Sequence, residues 1–416
     1  LAAEQDGIGT PWPLRHADLA PYYERLERYF GVWGNRDGLA QLPDGAFEGA
    51  GSFTSSEAAF RKRVEHEFPE RRVIVSRGLS AGRMPPRKQI HSRLSNLTTT
   101  LADALRTGRA RLRTEAIVTR VLLHQDGKRA AGVEFIDGPT RTPHAAYAKL
   151  VFLCASTIES VRLLFNSATP DHPNGLGADS GVLGRYLMDH VASNIYFQLP
   201  DVAPAKGRPP LLGSDAMMVP RFSNLHRHDA DHARGFGMWG CIDRIHLPNL
   251  IRQEPGEAFG FLCARGEVLP HYDNRVEIDA DLKDTWGIPS VRIHCEWKEN
   301  DLRLARAARR AAIEMVEEVA SISRWVMTPF VRSQVRRMEK EWRVSTPGLF
   351  VHEVGGARMG ASPRDSVVDR DCALWSVPNL LVTDGACWPS SGWQNPTLTE
   401  MALTARAVER ALERHP

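Results

Sequence analysis

The chain has 416 residues, of which 42% are hydrophobic and 25% charged, so it can bury a large core and fold as two or three domains. This composition excludes a peptide, a repeat module and a mainly disordered chain. The 53 basic and 50 acidic residues leave a net charge of +3, which makes nucleic acid a poor default partner.

Cysteine spacing and hydropathy narrow the class of protein further. Without any C-x-x-C pair, the six cysteines argue against zinc ribbons, haem attachment and iron–sulfur clusters. The longest apolar run, residues 150–155, is far shorter than the roughly 20 residues of a membrane span. The first residues lack the pattern of a signal peptide. We therefore expect a soluble protein, cytoplasmic or periplasmic, whose chain begins inside a longer one.

The first elements in chain order are a helix and a loop. Residues 11–30 predict an amphipathic helix with Asp18 as N-cap and Pro21 in its first turn. The glycine-rich residues 31–53 predict a loop of the kind that often forms a lid. A second helix is predicted over residues 93–107.

A run of strands follows. Residues 110–113 and 116–124 alternate as short strands, and the turn at 126–128 predicts a hairpin with residues 130–136. Residues 149–155 (KLVFLCA) contain the continuous apolar run 150–155, which is typical of a strand buried on both faces of a parallel sheet. A helix predicted over residues 158–166 follows at once, and this order is typical of a nucleotide-binding unit.

The second half contains a sheet, two helices and another buried strand. Residues 191–300 predict an antiparallel sheet, and residues 301–319 predict a helix capped by Asn300 or Asp301. A buried strand over residues 377–383 ends in Asp384-Gly385. A last helix opens at Pro396, so its free N–H groups face the cleft behind Asn395.

Four blocks in the last part of the chain carry a family resemblance. They read H-E-V-G-G-A-R-M-G (352–360), S-V-V-D (366–369), P-N-L-L-V-T-D-G (378–385) and N-P-T-L-T (395–399). In this order they resemble the carboxy-terminal signature of the glucose-methanol-choline (GMC) flavoprotein oxidoreductases. The branch with pyranose oxidases and glucoside 3-dehydrogenases is the most similar. Weaker matches are V-T-R-V (118–121), A-S-T-I-E-S (155–160), L-G-R-Y-L-M-D-H (183–190) and N-R-V-E-I-D (274–279).

The resemblance implies a fold and a domain order. The fold class is α/β, or α+β overall, with an incomplete FAD-binding Rossmann-like domain and a substrate domain built on a mainly antiparallel sheet flanked by helices. Residues 1–90 would join the two domains as a helix and lid segment. Residues 91–190 and 346–416 would form the FAD-binding domain, and residues 191–345 the substrate domain.

The same resemblance implies an enzyme that oxidises a hydroxyl group of a sugar or glycoside. A base takes the hydroxyl proton while the carbon gives a hydride to flavin N5, and the electrons pass on to oxygen, a quinone or a cytochrome. His352 matches the base, and Asn395 matches its hydrogen-bonding partner at the substrate oxygen. The residues that match FAD contacts are Val118, Ala155, Asp384, Gly385, Pro396 and Thr397.

One part of the family pattern is missing. No G-x-G-x-x-G follows a first strand, and the near match at residues 175–181 has the wrong spacing. The alternative is therefore a non-catalytic or incomplete subunit that needs another polypeptide segment to bind FAD. On this pattern we expect the chain alone to purify colourless.

Three other features have simpler explanations. The histidines at 226, 228 and 232 have spacing compatible with a metal site, but their polar surroundings favour a solvated loop, so no metal is predicted. The basic run at 332–343 favours a solvated helix face. Trp388 and Trp393 flank the catalytic loop, where they can stack on a sugar ring or pack over the flavin edge.

Overall fold

The computed structural model describes residues 2–79, 96–199, 216–225, 231–244, 251–252, 258–319, 326–327 and 344–415. The helices are α1 (Ala2–Asp6), α2 (His16–Phe30), α3 (Ser55–Glu67), α4 (Thr100–Arg106), α5 (Thr157–Asn166), α6 (Glu299–Val319) and α7 (Thr397–Arg414). The strands are β1 (Val32–Trp33), β2 (Ile74–Val75), β3 (Gly78–Leu79), β4 (Ala116–Leu123), β5 (Ala130–Asp137), β6 (Pro143–Tyr147), β7 (Val151–Leu153), β8 (Val191–Leu199), β9 (Met217–Val219), β10 (Phe236–Ile242), β11 (Ile251–Arg252), β12 (Ala258–Gly266), β13 (Arg275–Lys283), β14 (Pro289–His294), β15 (Val326–Met327) and β16 (Leu380–Val382). Over these ranges, no helix combines the length and apolar character needed to cross a membrane.

The largest sheet has five antiparallel strands in the order β2-β9-β10-β12-β8. β12 and β8 pair along their whole lengths, from Ala258 opposite Leu199 to Gly266 opposite Val191. Helix α6 packs against β8 and β12 and buries Leu304 and Met315 in the core. The predicted antiparallel sheet flanked by helices is confirmed. β2 extends this sheet with residues from the first 90 of the chain.

A second, smaller sheet joins two strands that are more than 200 residues apart. β7 and β16 pair in parallel, with Val151 opposite Leu380 and Leu153 opposite Val382. Both continuous apolar runs therefore form the parallel strands that the sequence predicts, although each ordered strand is only three residues long. Since parallel strands end at the same edge, the residues after them, Ala155 and Asp384, face one side of the fold.

A three-stranded meander, β4-β5-β6, lies beside this parallel pair. The hairpin of β4 and β5 is confirmed, but the short strand predicted at 110–113 is wrong, because those residues form no ladder. Asn379 joins the two sheets. Its side-chain oxygen accepts from the N–H of Ala130, and its amide donates to the carbonyls of Ala130 and Lys149, each at 2.8 Å.

We expect Asn379→Ala to destabilise the protein by roughly 2–4 kcal/mol, because it leaves three backbone groups without their partner in a buried place. Chemical unfolding of this variant measures the loss. Asn194→Ala, at an exposed position of β8, is the matched control and should change the free energy of unfolding by less than about 0.5 kcal/mol. Equal losses in the two variants would contradict the role given to Asn379.

The predicted starts of two helices are wrong for one shared reason. α2 begins at His16 and α6 at Glu299, before the aspartates that the sequence offers as caps. Asp18 accepts a hydrogen bond from the N–H of Arg15 at 2.7 Å, and Asp301 accepts one from the N–H of Lys298 at 3.0 Å. Each carboxylate therefore lies in the first turn of its helix and accepts from the N–H of the residue just before the helix, as in a capping box.

The helix predicted over residues 93–107 is shorter than expected. It covers Thr100–Arg106, and residues 93–95 lie outside the described part of the chain.

Candidate active site

Three motif segments from distant parts of the sequence lie side by side. Met188 and Val354 exchange both backbone hydrogen bonds, at 2.8 and 2.9 Å. On the other side of the same segment, the N–H groups of residues 355, 357 and 359 donate to the carbonyls of residues 385, 386 and 387, each at 2.8 Å. The segment that contains His352 therefore runs between L-M-D-H (187–190) and D-G-A-C (384–387).

A glycine allows the three segments to approach so closely. Gly355 has φ of +94°, and a Cβ there would lie 2.1 Å from the carbonyl oxygen of Tyr186. No other residue fits this place without moving the neighbouring backbone.

The register of this pairing brings two histidines together. Because Met188 lies opposite Val354 in an antiparallel bridge, His190 lies opposite His352. Their rings meet edge to face, with centroids 5.1 Å apart. His190 is 2% exposed, and its ring lies against the backbone of Gly392 and Gln394 without a well-formed hydrogen bond to either nitrogen in the described residues. Burial first, and then the nearby His352 and Arg265, lower the pKa of His190 to about 3, against the opposing effect of those two backbone groups.

This buried histidine predicts an acid-sensitive fold. The pKa of His190 is about 3 in the folded protein against 6.5 for a free histidine, so between these values the unfolded chain binds one more proton. Stability therefore falls as the pH is lowered, by about 1.4 kcal/mol per pH unit from this group. The free energy of unfolding should fall between pH 6.5 and pH 5 in both proteins. We expect the fall to be about 2 kcal/mol smaller in His190→Leu than in the wild type, as measured by urea unfolding. Parallel losses in the two proteins would show that His190 is not buried in its neutral form.

His352 is half-buried. Burial lowers its pKa most and the positive charge of Arg265 lowers it further, while the carboxylate of Asp189 opposes both. Its Nδ1 atom is buried and has no hydrogen-bond partner within the described ranges. The imidazole is therefore neutral near neutral pH, which is the form that accepts a proton.

Arg265 connects the predicted pair, His352 and Asn395. It lies on β12 opposite Ala192, two residues after His190, so its side chain starts beside the two histidines. Its Nη1 atom donates to Oδ1 of Asn395 at 2.5 Å. The guanidinium that acts on His352 by charge thus holds Asn395 by a hydrogen bond.

Asn395 is exposed and stands directly before helix α7. The helix is held in place by Tyr23, whose hydroxyl bonds Thr399 at 2.7 Å, and by Thr404, which donates to the carbonyl of Thr383 at 3.2 Å. Pro396 is buried and Thr397 exposed at the helix N-terminus. The first N–H groups of a helix have no intrahelical partner, so this end attracts negative charge.

The carboxyl edge of the parallel strands contains three more of the predicted residues. The Ser160 hydroxyl accepts from the N–H of Ala155 and donates to Asp384. Asp384 also accepts from the N–H of Ala386 at 3.0 Å, and burial raises the pKa of this carboxyl. Ala155, Asp384 and Gly385 are therefore neighbours at one edge. Asp384 organises the turn that follows it, so it has a structural role beyond the predicted cofactor contact.

Val118 lies apart from these residues, on β4 of the meander. It is half-buried opposite Phe135, and the ladder slips between Val118 and Arg120. Such a bulge takes backbone groups out of the ladder, which is compatible with the main-chain contact that the sequence comparison implies.

The tryptophans of the loop pack inside the protein. Trp388 meets Trp12 edge to face at 5.4 Å, and Trp393 lies on Gly237, where a Cβ would come within 2.4 Å of its ring. Both indoles are less than 8% exposed. Their rings hold the loop against the fold rather than offering a face to a sugar.

Of the three histidines of the possible metal cluster, only His232 lies in the described part of the chain. His232 is buried and bonds Asn224, so a solvated loop is wrong for this residue. Residues 226–230 and the basic run at 332–343 lie outside the described residues. The described part of the chain contains no group of three histidine, cysteine or acidic side chains placed to hold a metal ion.

Sequence reasoning missed two members of this site. His190 is the last residue of the block L-G-R-Y-L-M-D-H, which indicates the family but gives this histidine no role. Arg265 stands in an apolar strand, A-F-G-F-L-C-A-R-G, and nothing in that local pattern indicates a site.

Comparisons with known proteins give the family context. Two family models, both described as GMC oxidoreductase, match residues 15–192 and 270–404. The chain is 29% identical to 2-methyl-1,2-propanediol dehydrogenase of Mycolicibacterium austroafricanum, over 95% of this chain and 73% of that protein. It is 25% identical to the fructose dehydrogenase large subunit of Gluconobacter japonicus, over 98% of this chain and 75% of that protein. It is also 29% identical to C-glycoside 3-oxidase of Arthrobacter globiformis, over 72% of this chain and 52% of that protein.

A solved structure shares the fold. Pyridoxine 4-oxidase from Mesorbium loti superimposes with a TM-score of 0.60 at 16% identity, covering all 100% of this chain and 80% of that one.

Proposed function

The chain belongs to the GMC oxidoreductase family, and from that premise we propose that it is an FAD-dependent enzyme that oxidises a hydroxyl group of a sugar or glycoside. The observation that carries this proposal is the junction at which His352, His190 and Arg265 meet and Arg265 bonds Asn395. It combines a neutral base with hydrogen-bond donors, which is what alcohol oxidation requires.

The residues present fit a bound flavin. At the site, three neighbouring residues have buried polar atoms without a well-formed hydrogen bond in the described residues: both ring nitrogens of His190, Nδ1 of His352 and Nε of Arg265. Buried polar groups are almost always paired, so this cluster favours a polar ligand that completes their bonds.

We assign the cofactor contacts as the family resemblance implies. Asp384 and Gly385 would contact the ribityl or diphosphate part of FAD at the carboxyl edge of the parallel strands. Ala155 would begin the turn that passes close to the adenosine, and Val118 would contact the adenine through its main chain. Pro396 and Thr397 open the helix whose N–H groups would face the flavin ring. When bound, FAD supplies the acceptor for the hydride of the reacting carbon.

The protein residues act on the substrate oxygen. His352 takes the hydroxyl proton as the O–H bond breaks, and the burial and charge that lower its pKa keep it free of a proton beforehand. Asn395 donates a hydrogen bond to the same oxygen as negative charge develops there. The carbon loses a hydride and becomes a carbonyl, so the CH–OH group is oxidised by two electrons.

The names of the relatives favour a sugar or glycoside over a simple alcohol as the substrate. Two of the relatives are named for fructose and for a C-glycoside, whereas a third is named for a small diol. The electrons would then pass to oxygen, a quinone or a cytochrome.

A substrate panel tests the proposal. The chain is first joined to a segment that supplies the missing glycine-rich loop, because the chain alone is expected to purify colourless. The resulting flavin-loaded protein is mixed without oxygen with hexoses, alkyl and aryl glycosides and 2-methyl-1,2-propanediol, and the visible flavin band is followed. We expect at least one sugar or glycoside to bleach the band. Reduction by the diol alone would replace the sugar class by small diols, and reduction by none of them, in a protein whose flavin dithionite still reduces, would refute the proposal.

A further inference from the structure

Arg265 is a cation at the site with no acidic partner in the described part of the chain. In the described residues its contacts are with Asn395, with the ring of Phe350 at 5.1 Å from the guanidinium carbon, and with the thiol of Cys263, and none of them is a carboxylate. Its Nε atom is buried and unpaired within the same ranges. A partly buried charge without a counter-ion costs stability, so its presence here calls for a function.

The hydrogen bond decides which way the Asn395 amide points. A guanidinium carries only donors, so the atom of Asn395 that faces it at 2.5 Å is the oxygen. The NH₂ group then points away from Arg265. Because Asn395 is exposed, its NH₂ group is the part left to meet a substrate oxygen.

This orientation matters for the developing charge. An amide NH₂ donates to an alkoxide and stabilises it, whereas an amide oxygen in the same place would repel it. Without Arg265 the amide can turn over, since nothing else in the described part of the chain bonds its oxygen. The fixed positive charge of Arg265 adds to the same effect, because a guanidinium stays protonated at any working pH.

We propose that Arg265 is a positioning residue of this site: it fixes the amide of Asn395 with the NH₂ group toward the substrate oxygen, and it places a permanent positive charge beside that oxygen. The inference rests on the proposed function. Arg265 also lies with His190 and Asp189 among the charged and titratable groups around His352. Its loss should therefore change the titration of that base.

Kinetics of flavin reduction by the sugar test the positioning. Arg265→Met removes the donor and the charge, and we expect the rate to fall about 10- to 100-fold, the worth of one charged hydrogen bond. Arg265→Lys keeps the charge and should recover part of the rate. Arg292→Met, at an exposed arginine of β14, is the matched control and should leave the rate unchanged.

A double variant separates positioning from a general structural effect. If Arg265 acts through Asn395, then Arg265→Met in an Asn395→Ala background should cost less than about threefold further, because residues that act as a unit are not additive. A further loss as large as in the wild-type background would overturn the positioning role.

A titration independent of activity tests the charge. With labelled histidine, the His352 signal is assigned by its loss in His352→Ala, and its pKa is followed by NMR. The pKa should be higher in Arg265→Met than in the wild type, and Arg265→Lys should stay near the wild type. An unchanged pKa in Arg265→Met would overturn the charge effect, and this holds even if no sugar reduces the flavin, in which case it is the proposed function that has failed.

Discussion

His352→Ala should lower the rate of flavin reduction by the sugar about 10²–10⁴-fold, the usual contribution of a positioned base. The imidazole is neutral because burial and the charge of Arg265 both lower its pKa. Its removal leaves the hydroxyl proton without an acceptor. Anaerobic stopped-flow measurement of the flavin band in wild type and variant gives the ratio directly.

Two further measurements show whether the lower rate comes from the lost base and not from a damaged fold. The thermal midpoint of His352→Ala should stay near that of the wild type, because a half-buried ring contributes little to the core. In the wild type the acid limb of the rate should lie below the pH expected for an ordinary histidine. A variant that keeps its full rate would assign the base to another group.

Glu57→Ala should destabilise the fold by about 3–5 kcal/mol, because it leaves a buried arginine without its counter-ion. Glu57, on α3, is fully buried, and its two oxygens accept from Nε and Nη2 of Arg244, each at 2.8 Å. The same carboxylate accepts from the N–H groups of Thr54 and Ile242, so it also ties α3 to β10. Urea unfolding measures the change in free energy.

The matched control lies on the same helix. Glu65 pairs with Arg61 and Arg72 at a partly exposed place and accepts from the N–H of Val73. Since glutamine keeps an oxygen that can accept from this N–H, Glu65→Gln should cost no more than about 1 kcal/mol. The double variant Glu57→Leu with Arg244→Met should recover part of the loss, since it removes both buried charges. If Glu57→Ala and Glu65→Gln proved equally mild, the buried pair would not support this sheet.

Patterns along the chain were enough to predict part of the fold. The continuous apolar runs around Val151 and Leu380 indicated buried strands, because only a strand covered on both faces needs no polar side. The first residues of helices α2 and α6 could not be predicted correctly from their aspartates. An aspartate can cap a helix from its third position as well as from the N-cap, and Asp18 and Asp301 both do so.

Only the site residues that lie in a family motif could be predicted from the sequence. His352 and Asn395 came from blocks of sequence, as did the residues around Asp384. Arg265 did not, because its place depends on the pairing of β12 with β8, which sets it beside the end of L-M-D-H. The two strands are far apart in the sequence, so no periodic pattern near Arg265 indicates that it lies beside L-M-D-H.

A single-turnover experiment tests the central claim most directly. Flavin-loaded protein is mixed without oxygen with one equivalent of the sugar that bleaches the flavin band, and the products are analysed. The account predicts one reduced flavin and one carbonyl product per sugar in the wild type, with the same reaction slowed about 10²–10⁴-fold in His352→Ala. A flavin that stays oxidised with every sugar and glycoside, while dithionite reduces it, would contradict the account.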